Sequence, residues 1–302
     1  MQIVVEQVLL LLLFISIGYT LGKTKLANFS HTKILSVLGV YVFIPCNIFR
    51  TFSNNFTVDY LSEKYPLILA GLAIVVLMTL LSFPFGKLMA KDSYQQAIYR
   101  YSFVMPNYGY VGFALASGIF GDGMLLNVML FTLPMSFYTY TLGFCSLTRS
   151  PLKLKKIISP ANIAILIGGT IGLLGIPLPK VVDTLASRAT SCMGPVSMLL
   201  TGIVIAEYKL SDLFTNTRAY VMSVLRLVVI PVSIAGVMTL LGLRELVPTV
   251  LLIQAMPCGM NTIVFPKLVG EDCRTGAALT CITSILCVAT IPLCLWLFGI
   301  TV

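Results

Sequence analysis

Two prolines with nearby amide side chains interrupt long apolar runs of the sequence. Pro106 is followed by Asn107 in YSFVMPNYGYVGF, and Pro257 lies between Gln254 and Asn261 in IQAMPCGMNTIVF. Proline has no N–H group and clashes with the carbonyl four residues before it, so each proline is expected to break a helix. A helix that restarts after such a break directs N–H groups and a partial positive charge at the break, and this chemistry binds anions.

The amides near the breaks are candidate ligand-binding groups. Asn107 is expected either to cap its half-helix or to donate to a ligand, and Asn261, one turn after Pro257, is a second candidate. Gln254, one turn before that break, is a third. A packing kink is the alternative for a single proline, because proline is frequent in membrane helices. Two matched breaks, each with a nearby amide, favour a binding site.

The overall composition predicts that the two breaks lie in a membrane. The chain has 302 residues, of which 58% are hydrophobic and 10% are charged, with a mean hydropathy of +0.97. Soluble domains carry about 25% charged residues, so we predict a polytopic protein embedded in a lipid bilayer. The eight cysteines show no C-x-x-C spacing, which argues against disulfides or a zinc site. No cofactor, no metal and no nucleic-acid partner is predicted.

Ten apolar segments are each expected to form a helix across the bilayer, which needs about 20 residues. Segments 1 to 10 comprise residues 3–22, 31–53, 65–90, 93–120, 122–147, 161–176, 179–207, 217–243, 247–270 and 273–300. The predicted fold is therefore all-α, with ten transmembrane helices. Pro106 and Pro257 lie near the centres of segments 4 and 9, which are expected to be proline-broken helices.

Lys and Arg residues are concentrated in the gaps on one side of this arrangement. Thirteen of them lie in or beside the gaps that follow the odd-numbered segments, whereas the opposite gaps hold three. Positive charge is retained in the cytoplasm, which predicts that both termini are extracytoplasmic. We expect a multi-pass protein of the plasma (inner) membrane.

The two halves of the chain share one pattern: a proline-broken helix, a glycine-acid turn and a final helix. Pro257 lies 151 residues after Pro106, and the turns read GDG and GED. The predicted units are a first five-helix repeat at 1–147, a basic cytoplasmic linker at 148–160 and a second repeat at 161–302. Because five is odd, the second repeat is inserted upside down. Inverted repeats with interrupted helices predict a secondary transporter with a site at the bilayer midplane.

Arg226 lies nine residues into segment 8, and Arg100 lies seven residues into segment 4. One interpretation is that they draw an anion into the cytoplasmic vestibule. The simpler one is that both side chains snorkel to the cytoplasmic surface. No acidic residue lies near the centre of a segment, so a buried carboxylate proton relay is not predicted.

Three stretches, LGVYVFIPCNIFRTF, MPNYGYVGFALASGIFGDG and QAMPCGMNTIVFPKLVGED, resemble the auxin efflux carrier family. That family includes the plant PIN-FORMED carriers and bacterial permeases assigned to malate, malonate and similar acids, and the resemblance covers essentially the whole chain. It implies a bile-acid-symporter-like fold, in which segments 1, 2, 6 and 7 form a scaffold. Segments 3–5 and 8–10 would form a transport domain, with segments 4 and 9 crossing inside it.

The resemblance also implies a substrate site at this crossing. The residues it points to are Asn107, Pro106, Pro257, Pro45, Cys46 and Ile48. The expected function is transport of small organic anions, auxin-like carboxylates or dicarboxylates, by alternating access. A sodium-coupled symporter of the same architecture, whose freed carbonyls at the crossing would bind the ion, and a non-transporting membrane sensor are the alternatives. The expected partners are a small carboxylate substrate and the lipid bilayer, with a homodimer left open.

Overall fold

The structure is a computed structural model that describes residues 2–90, 92–151 and 160–300. Across these ranges the backbone is almost entirely helical, and the one β-type pairing is an isolated bridge between Pro106 and Cys258. The prediction of an all-α protein is confirmed. Most of the predicted basic linker, residues 152–159, lies outside the described residues.

Helix is present at each of the ten predicted segments. Segments 1, 3, 6, 7 and 10 are continuous helices at Gln2–Lys23, Val58–Met89, Pro160–Leu173, Lys180–Ala206 and Arg274–Leu297. Four segments each consist of two helices. Segment 2 comprises Phe29–Leu38 and Ile44–Asn55, and segment 4 comprises Ser93–Val104 and Phe113–Phe120. Segment 5 comprises Asp122–Tyr138 and Phe144–Thr148, and segment 8 comprises Thr217–Val224 and Ile230–Leu240. Segment 9 is divided into Val247–Gln254 and Asn261–Leu268. Short helices at Leu210–Phe214 and Arg244–Leu246 precede segments 8 and 9.

Six helices in the described ranges are long and apolar enough to cross a bilayer. They are His31–Asn55, Val58–Met89, Asp122–Thr148, Lys180–Ala206, Thr217–Leu240 and Arg274–Leu297. Leu9–Lys23, Tyr108–Phe120 and Pro160–Leu173 are shorter apolar helices. The chain is therefore a multi-pass membrane protein by helix length and composition.

Two segments differ from their predicted bounds for local reasons. Segment 3 begins at Val58 because the Thr57 hydroxyl accepts a hydrogen bond from the N–H of Tyr60 at 3.1 Å, which caps a polar first turn. Segment 6 ends early, at Leu173, because the chain turns at Gly175, whose φ is +64°. Glycine tolerates this left-handed conformation, which commonly ends a helix.

Within the described residues, four segments contain a π-helical turn that the sequence analysis did not predict. The turns are Gly39–Phe43, Tyr108–Gly112, Thr139–Gly143 and Leu225–Val229. Two of them lie directly before an Ile-Pro pair, at Pro45 and Pro231. A proline inside a helix leaves an earlier carbonyl without its N–H partner, and a local widening of the helix accommodates this loss.

Segments 1 and 7 pack closely through glycines. A Cβ atom placed on Gly18 would collide with the backbone of Leu199, and one placed on Gly202 would collide with the backbone of Ile15. Gly22 faces Ile203 in the same way. Gly18 lies against Leu199, and Gly22, four residues later, lies against Ile203, four residues after Leu199, so the two helices run parallel. Small residues allow such close backbone approach between membrane helices.

Segments 2 and 6 form a second parallel pair of the same kind. A Cβ atom on Gly168 would lie 2.7 Å from the carbonyl oxygen of Phe49, and one on Gly172 would collide with the carbonyl of Phe52. The glycines here belong to segment 6. The four segments of the predicted scaffold thus contain two glycine-packed parallel pairs, 1 with 7 and 2 with 6.

Contacts between segment ends join the positions that the charge pattern assigns to one side. Lys23 at the end of segment 1 donates to the carbonyl of Tyr208 after segment 7, at 3.1 Å. Arg149 after segment 5 pairs with Glu271 after segment 9, at 3.6 Å. Arg218 at the start of segment 8 donates to the carbonyl of Met89 at the end of segment 3, at 2.8 Å.

Candidate binding site at the helix crossing

The breaks in segments 4 and 9 meet and satisfy each other's backbone groups. The N–H of Asn107 donates to the carbonyl of Pro257 at 2.8 Å, and the N–H of Gly259 donates to the carbonyl of Met105 at 3.2 Å. Both breaks are buried, with Met105 and Cys258 fully inaccessible. Unpaired backbone groups are costly inside a bilayer, and each break here supplies one hydrogen-bond partner to the other.

A small cavity adjoins this crossing. It is lined by Ile44, Ile48, Pro106, Asn107, Tyr108, Gly109, Tyr110, Phe113, Ser136, Thr139, Tyr140, Ala161, Gly259, Met260 and Asn261. The lining comes from segments 2 and 6 on one side and from segments 4, 5 and 9 on the other. The cavity volume of about 30 Å³ accommodates roughly two water molecules, whereas pockets for small organic ligands measure several hundred Å³. The cavity is therefore too small for such a ligand in this conformation.

The second halves of segments 4 and 9 both begin at the cavity. In segment 4, the carbonyl of Asn107 accepts from the N–H groups of Val111 at 3.2 Å and Gly112 at 3.0 Å and so starts the helix. In segment 9, the helix begins at Asn261, which also lines the cavity. The first N–H groups of a helix have no partner within it, and they carry a partial positive charge. Two such ends therefore border one cavity.

The side chain of Asn107 does not cap the half-helix. It makes no capping hydrogen bond, although the residue is only 4% exposed. Its backbone carbonyl takes that role instead. Of the two functions predicted for this amide, helix capping is wrong, and donation to a ligand in the adjoining cavity stays a prediction.

Asn261 is held by the other broken segment. Its Nδ2 atom donates to the hydroxyl of Tyr101 at 2.9 Å, and Tyr101 lies in segment 4 just before the break. Tyr101 is buried, at 2% exposure. This contact ties the start of one half-helix to the end of another across the crossing, and it fixes the amide at the cavity wall.

Three tyrosines in the lining, Tyr108, Tyr110 and Tyr140, were not among the predicted site residues. The hydroxyl of Tyr108 lies 3.1 Å from Oγ of Ser136, so its hydrogen bond is made within the protein. The hydroxyl of Tyr110 is buried and has no hydrogen-bond partner in the described part of the chain. A buried hydroxyl without a partner is unfavourable, and a bound ligand can supply the partner. The YGY sequence directly after Asn107 was the available signal.

The lining contains no charged side chain and no histidine. Its polar groups are amides, hydroxyls and backbone, and its apolar groups come from Ile44, Ile48, Phe113 and Met260. The partial charges of the two helix ends are therefore the source of positive potential at this wall. Among the described residues, no cluster of His, Cys, Asp or Glu is arranged to hold a metal ion.

Comparison with known proteins identifies the family. A family model described as "Membrane transport protein" matches residues 3–152 and 144–295, which is nearly the whole chain. The chain belongs to this auxin efflux carrier-type family of membrane transport proteins. It is also 24% identical over 308 residues to an uncharacterized transporter of Methanocaldococcus jannaschii, an alignment that covers 98% of this chain and 99% of that protein. The family resemblance is confirmed, and the protein is a transporter and not an enzyme.

The remaining predicted site residues of the transporter lie in three places. Ile48 lines the cavity, but Pro45 and Cys46, on the same helix, do not. Pro257 contributes its carbonyl to the crossing bridge. Gln254 lies on the other side of the break, is fully buried, and accepts a hydrogen bond from Arg226. The structure thus places Pro106, Asn107 and Asn261 at one wall of the cavity and Ile48 at the opposite wall.

Arg226 of the transporter is fully buried, so the prediction that it snorkels to the surface is wrong. It lies in the π-helical turn of segment 8. Its Nη2 atom donates to Oε1 of Gln254 at 3.0 Å, and its Nη1 atom donates to the carbonyl of Phe103 at 3.3 Å. These acceptors lie at the ends of the first halves of segments 9 and 4. Helix C-termini carry partial negative charge, which explains why the guanidinium lies here instead of at the membrane surface.

Proposed function

We propose that this protein is a secondary transporter that carries small organic anions by alternating access, with the anion bound in the cavity beside the crossing. The observation that carries the proposal is that both second half-helices begin at this cavity, with Asn107 and Asn261 at their starts. Their N-terminal dipoles attract a carboxylate, and the amides and the hydroxyl of Tyr110 supply directional hydrogen bonds.

The proposed architecture has ten membrane spans in two inverted repeats, 1–147 and 161–302. In such a layout segment 6 is the counterpart of segment 1, and segment 2 that of segment 7. The packing of segment 1 on segment 7 then corresponds to the packing of segment 6 on segment 2, and both pairs are parallel and glycine-mediated. Parallel packing agrees with alternating spans, because an even number of crossings separates the members of each pair.

The proposed movement opens the cavity between its two walls. Segments 2 and 6 contribute Ile44, Ile48 and Ala161, and segments 4, 5 and 9 contribute the polar groups. Scaffold segments 1, 2, 6 and 7 would stay fixed while segments 3–5 and 8–10 move as a transport domain. Because a cavity of about 30 Å³ is too small for a substrate, these walls separate when an anion enters or leaves.

The lining favours an anion with one carboxylate and an apolar body. Each carboxylate needs several hydrogen-bond donors or a cation. The two helix ends can supply these donors to one carboxylate, and the lining has no charged side chain that could bind a second one. A second carboxylate would face Ile44, Ile48, Phe113 or Met260. The same apolar and aromatic side chains would stabilise an aromatic or branched substrate body.

We propose that the transporter resides in the plasma (inner) membrane with both termini extracytoplasmic. Support comes from the excess of Lys and Arg in the gaps after odd-numbered segments. The end-to-end contacts of Lys23, Arg149 and Arg218 connect these same gaps.

A carboxylate panel tests the proposed function. Purified protein is screened by thermal shift against indole-3-acetate, phenylacetate, hexanoate, malonate, malate and succinate, each with sodium and with N-methyl-D-glucamine as the cation. Compounds that bind are then applied to reconstituted protein on a solid-supported membrane. We expect the monocarboxylates with apolar bodies to stabilise the protein and to produce transport currents without sodium. Binding without current would identify a sensor, and currents that require sodium would identify a symporter.

A further inference from the structure

Arg226 joins two positions that are equivalent in the two halves of the chain. Gln254 follows Phe103 by 151 residues, the same separation as that between Pro106 and Pro257. One guanidinium group donates to both, at 3.3 Å to the carbonyl of Phe103 and at 3.0 Å to Oε1 of Gln254. It therefore lies at the crossing, on the side where the first halves of both broken segments end.

The carbonyl of Phe103 is available because the break removes its usual donor. Within a continuous helix it would accept from the N–H of Asn107, but that N–H donates to the carbonyl of Pro257. In the second half, the N–H of Cys258 would serve the carbonyl of Gln254, but it donates to the hydroxyl of Thr283 at 3.0 Å. The crossing thus concentrates carbonyl ends that need a donor or a cation.

The charges at this place balance. Each helix C-terminus carries about half a negative charge, so the ends of two half-helices together match about one positive charge. Arg226 makes no ion pair with a carboxylate in the described part of the chain and has zero exposure to solvent. Burying an unpaired charge in a membrane protein is costly, and the compensation for this guanidinium comes from the Phe103 carbonyl, the side-chain oxygen of Gln254 and the dipoles of the two helix ends.

We propose that Arg226 is the resident cation of the crossing: a positioning residue that occupies the place a bound sodium ion would otherwise need. The carbonyl and amide oxygens here are hard oxygen ligands of the kind that an alkali cation binds. Since a covalently held guanidinium already neutralises them, the broken segments stay together at every step of the transport cycle without a coupling ion. The proposal deepens the proposed function, on which it rests, by assigning it a sodium-independent mechanism.

The first test uses sodium alone and wild-type protein. Melting temperature is measured in sodium chloride and in N-methyl-D-glucamine chloride at equal ionic strength, and binding of radioactive sodium is measured by scintillation proximity. We expect no saturable sodium binding and the same melting temperature in both salts. Saturable sodium stabilisation of wild-type protein would overturn the proposal. Because no organic anion is used, the result is independent of whether the proposed carboxylate transport is correct.

The second test removes the resident cation. Arg226→Ala is expected to melt at a lower temperature than wild type and to regain about 3 °C or more in sodium or guanidinium chloride, because a ligand that binds only the folded state stabilises it. It is also expected to acquire sodium binding that the wild type lacks. Arg226→Lys keeps a buried cation, so it is expected to show no sodium response. A purely structural arginine would leave both variants equally insensitive to the salt.

Arg100→Ala is the matched control. Arg100 also lies inside an apolar segment, but its guanidinium lies 3.6 Å above the ring of Phe83 and not at the crossing. Its loss is expected to create no sodium site. If Arg226→Ala is recovered folded only when sodium or guanidinium is present during purification, the proposal is supported. If neither cation recovers it while Arg226→Lys is folded, the proposal is contradicted.

Discussion

At the scale of single residues, the site depends on what each backbone group already binds. Asn107 shows this most clearly, because its N–H donates to Pro257 and its carbonyl starts the next half-helix, while its side chain does neither. The backbone therefore holds the break, and the side chain is not required for that purpose. Substitution of this side chain is therefore expected to weaken anion binding and to leave folding unchanged.

Replacing Asn107 with Ala is expected to weaken binding of a carried carboxylate by about 1 to 3 kcal/mol, or about 5- to 150-fold in Kd. Asn107→Asp is expected to be worse, because it places a negative charge beside a carboxylate in a site of low dielectric. Asn261→Ala is expected to have a smaller effect on Kd, since this residue lies a full turn from Pro257. Calorimetric titration of the purified variants with the tightest-binding carboxylate measures these differences.

Asn55→Ala is a suitable control for this series. Its amide donates to the carbonyl of Thr51 at 3.0 Å, at the end of segment 2 and away from the cavity. Its affinity for the carboxylate should equal that of the wild type. Wild-type affinity in both Asn107 variants would show that the prolines are packing kinks and that the anion binds elsewhere.

At the scale of elements, the sequence predicted the broken helices better than their contacts. The spacing of Pro106 and Pro257, with amides near both, was sufficient to locate the two breaks that meet in the structure. The π-helical turn before Pro45 could have been predicted in the same way, because proline removes an N–H group there as well. Helix breaks are local consequences of proline chemistry, so they can be read from a single sequence.

The position of Arg226 was not predictable in that way. The sequence showed an arginine near the predicted cytoplasmic end of segment 8, where snorkelling is the usual outcome. Its burial depends on Phe103 and Gln254, which are 123 and 28 residues away in the chain. The position of Tyr110 in the cavity lining depends likewise on how segment 4 faces segments 2 and 6. Such contacts are set by helix packing, which neither composition nor spacing encodes directly.

Close packing of segments 1 and 7, which belong to the proposed scaffold, gives a prediction at this scale. Gly202→Val is expected to destabilise the transporter by about 1 to 3 kcal/mol, because the added side chain meets the backbone of segment 1. Gly236→Val is the matched control, since a Cβ atom at Gly236 in segment 8 has no neighbour within 4 Å. Melting temperature in detergent and the monodisperse fraction on gel filtration report the difference. Equal stability of the two variants would mean that segments 1 and 7 are not packed in this way.

At the scale of the whole molecule, the proposed layout places equivalent parts of the two halves on opposite sides of the membrane. The turn after segment 4 contains Gly121 at φ +80°, and the turn after segment 9 contains Gly270 at φ +76°. Each is followed closely by acidic residues, in GDG and GED. Glu271 pairs with Arg149, which belongs to the basic side of the charge pattern, so the second turn is expected to be cytoplasmic and the first extracytoplasmic.

Cysteine labelling at these two turns tests the inverted layout directly. Gly123→Cys and Asp272→Cys occupy exposed positions, and a Cβ atom at Gly123 has no neighbour within 4 Å. Both are introduced into a Cys192→Ser background, because Cys192 is the exposed member of the eight native cysteines. The parent protein measures the reaction of the remaining cysteines.

In intact cells or right-side-out vesicles, a membrane-impermeant maleimide is expected to label Gly123→Cys at once and Asp272→Cys only after permeabilisation. An uneven number of crossings separates the two turns if segments 5 to 9 all span the bilayer. Labelling of both from the same side would therefore contradict the ten-span inverted repeat, and labelling in the reverse order would keep the repeat but invert the proposed orientation.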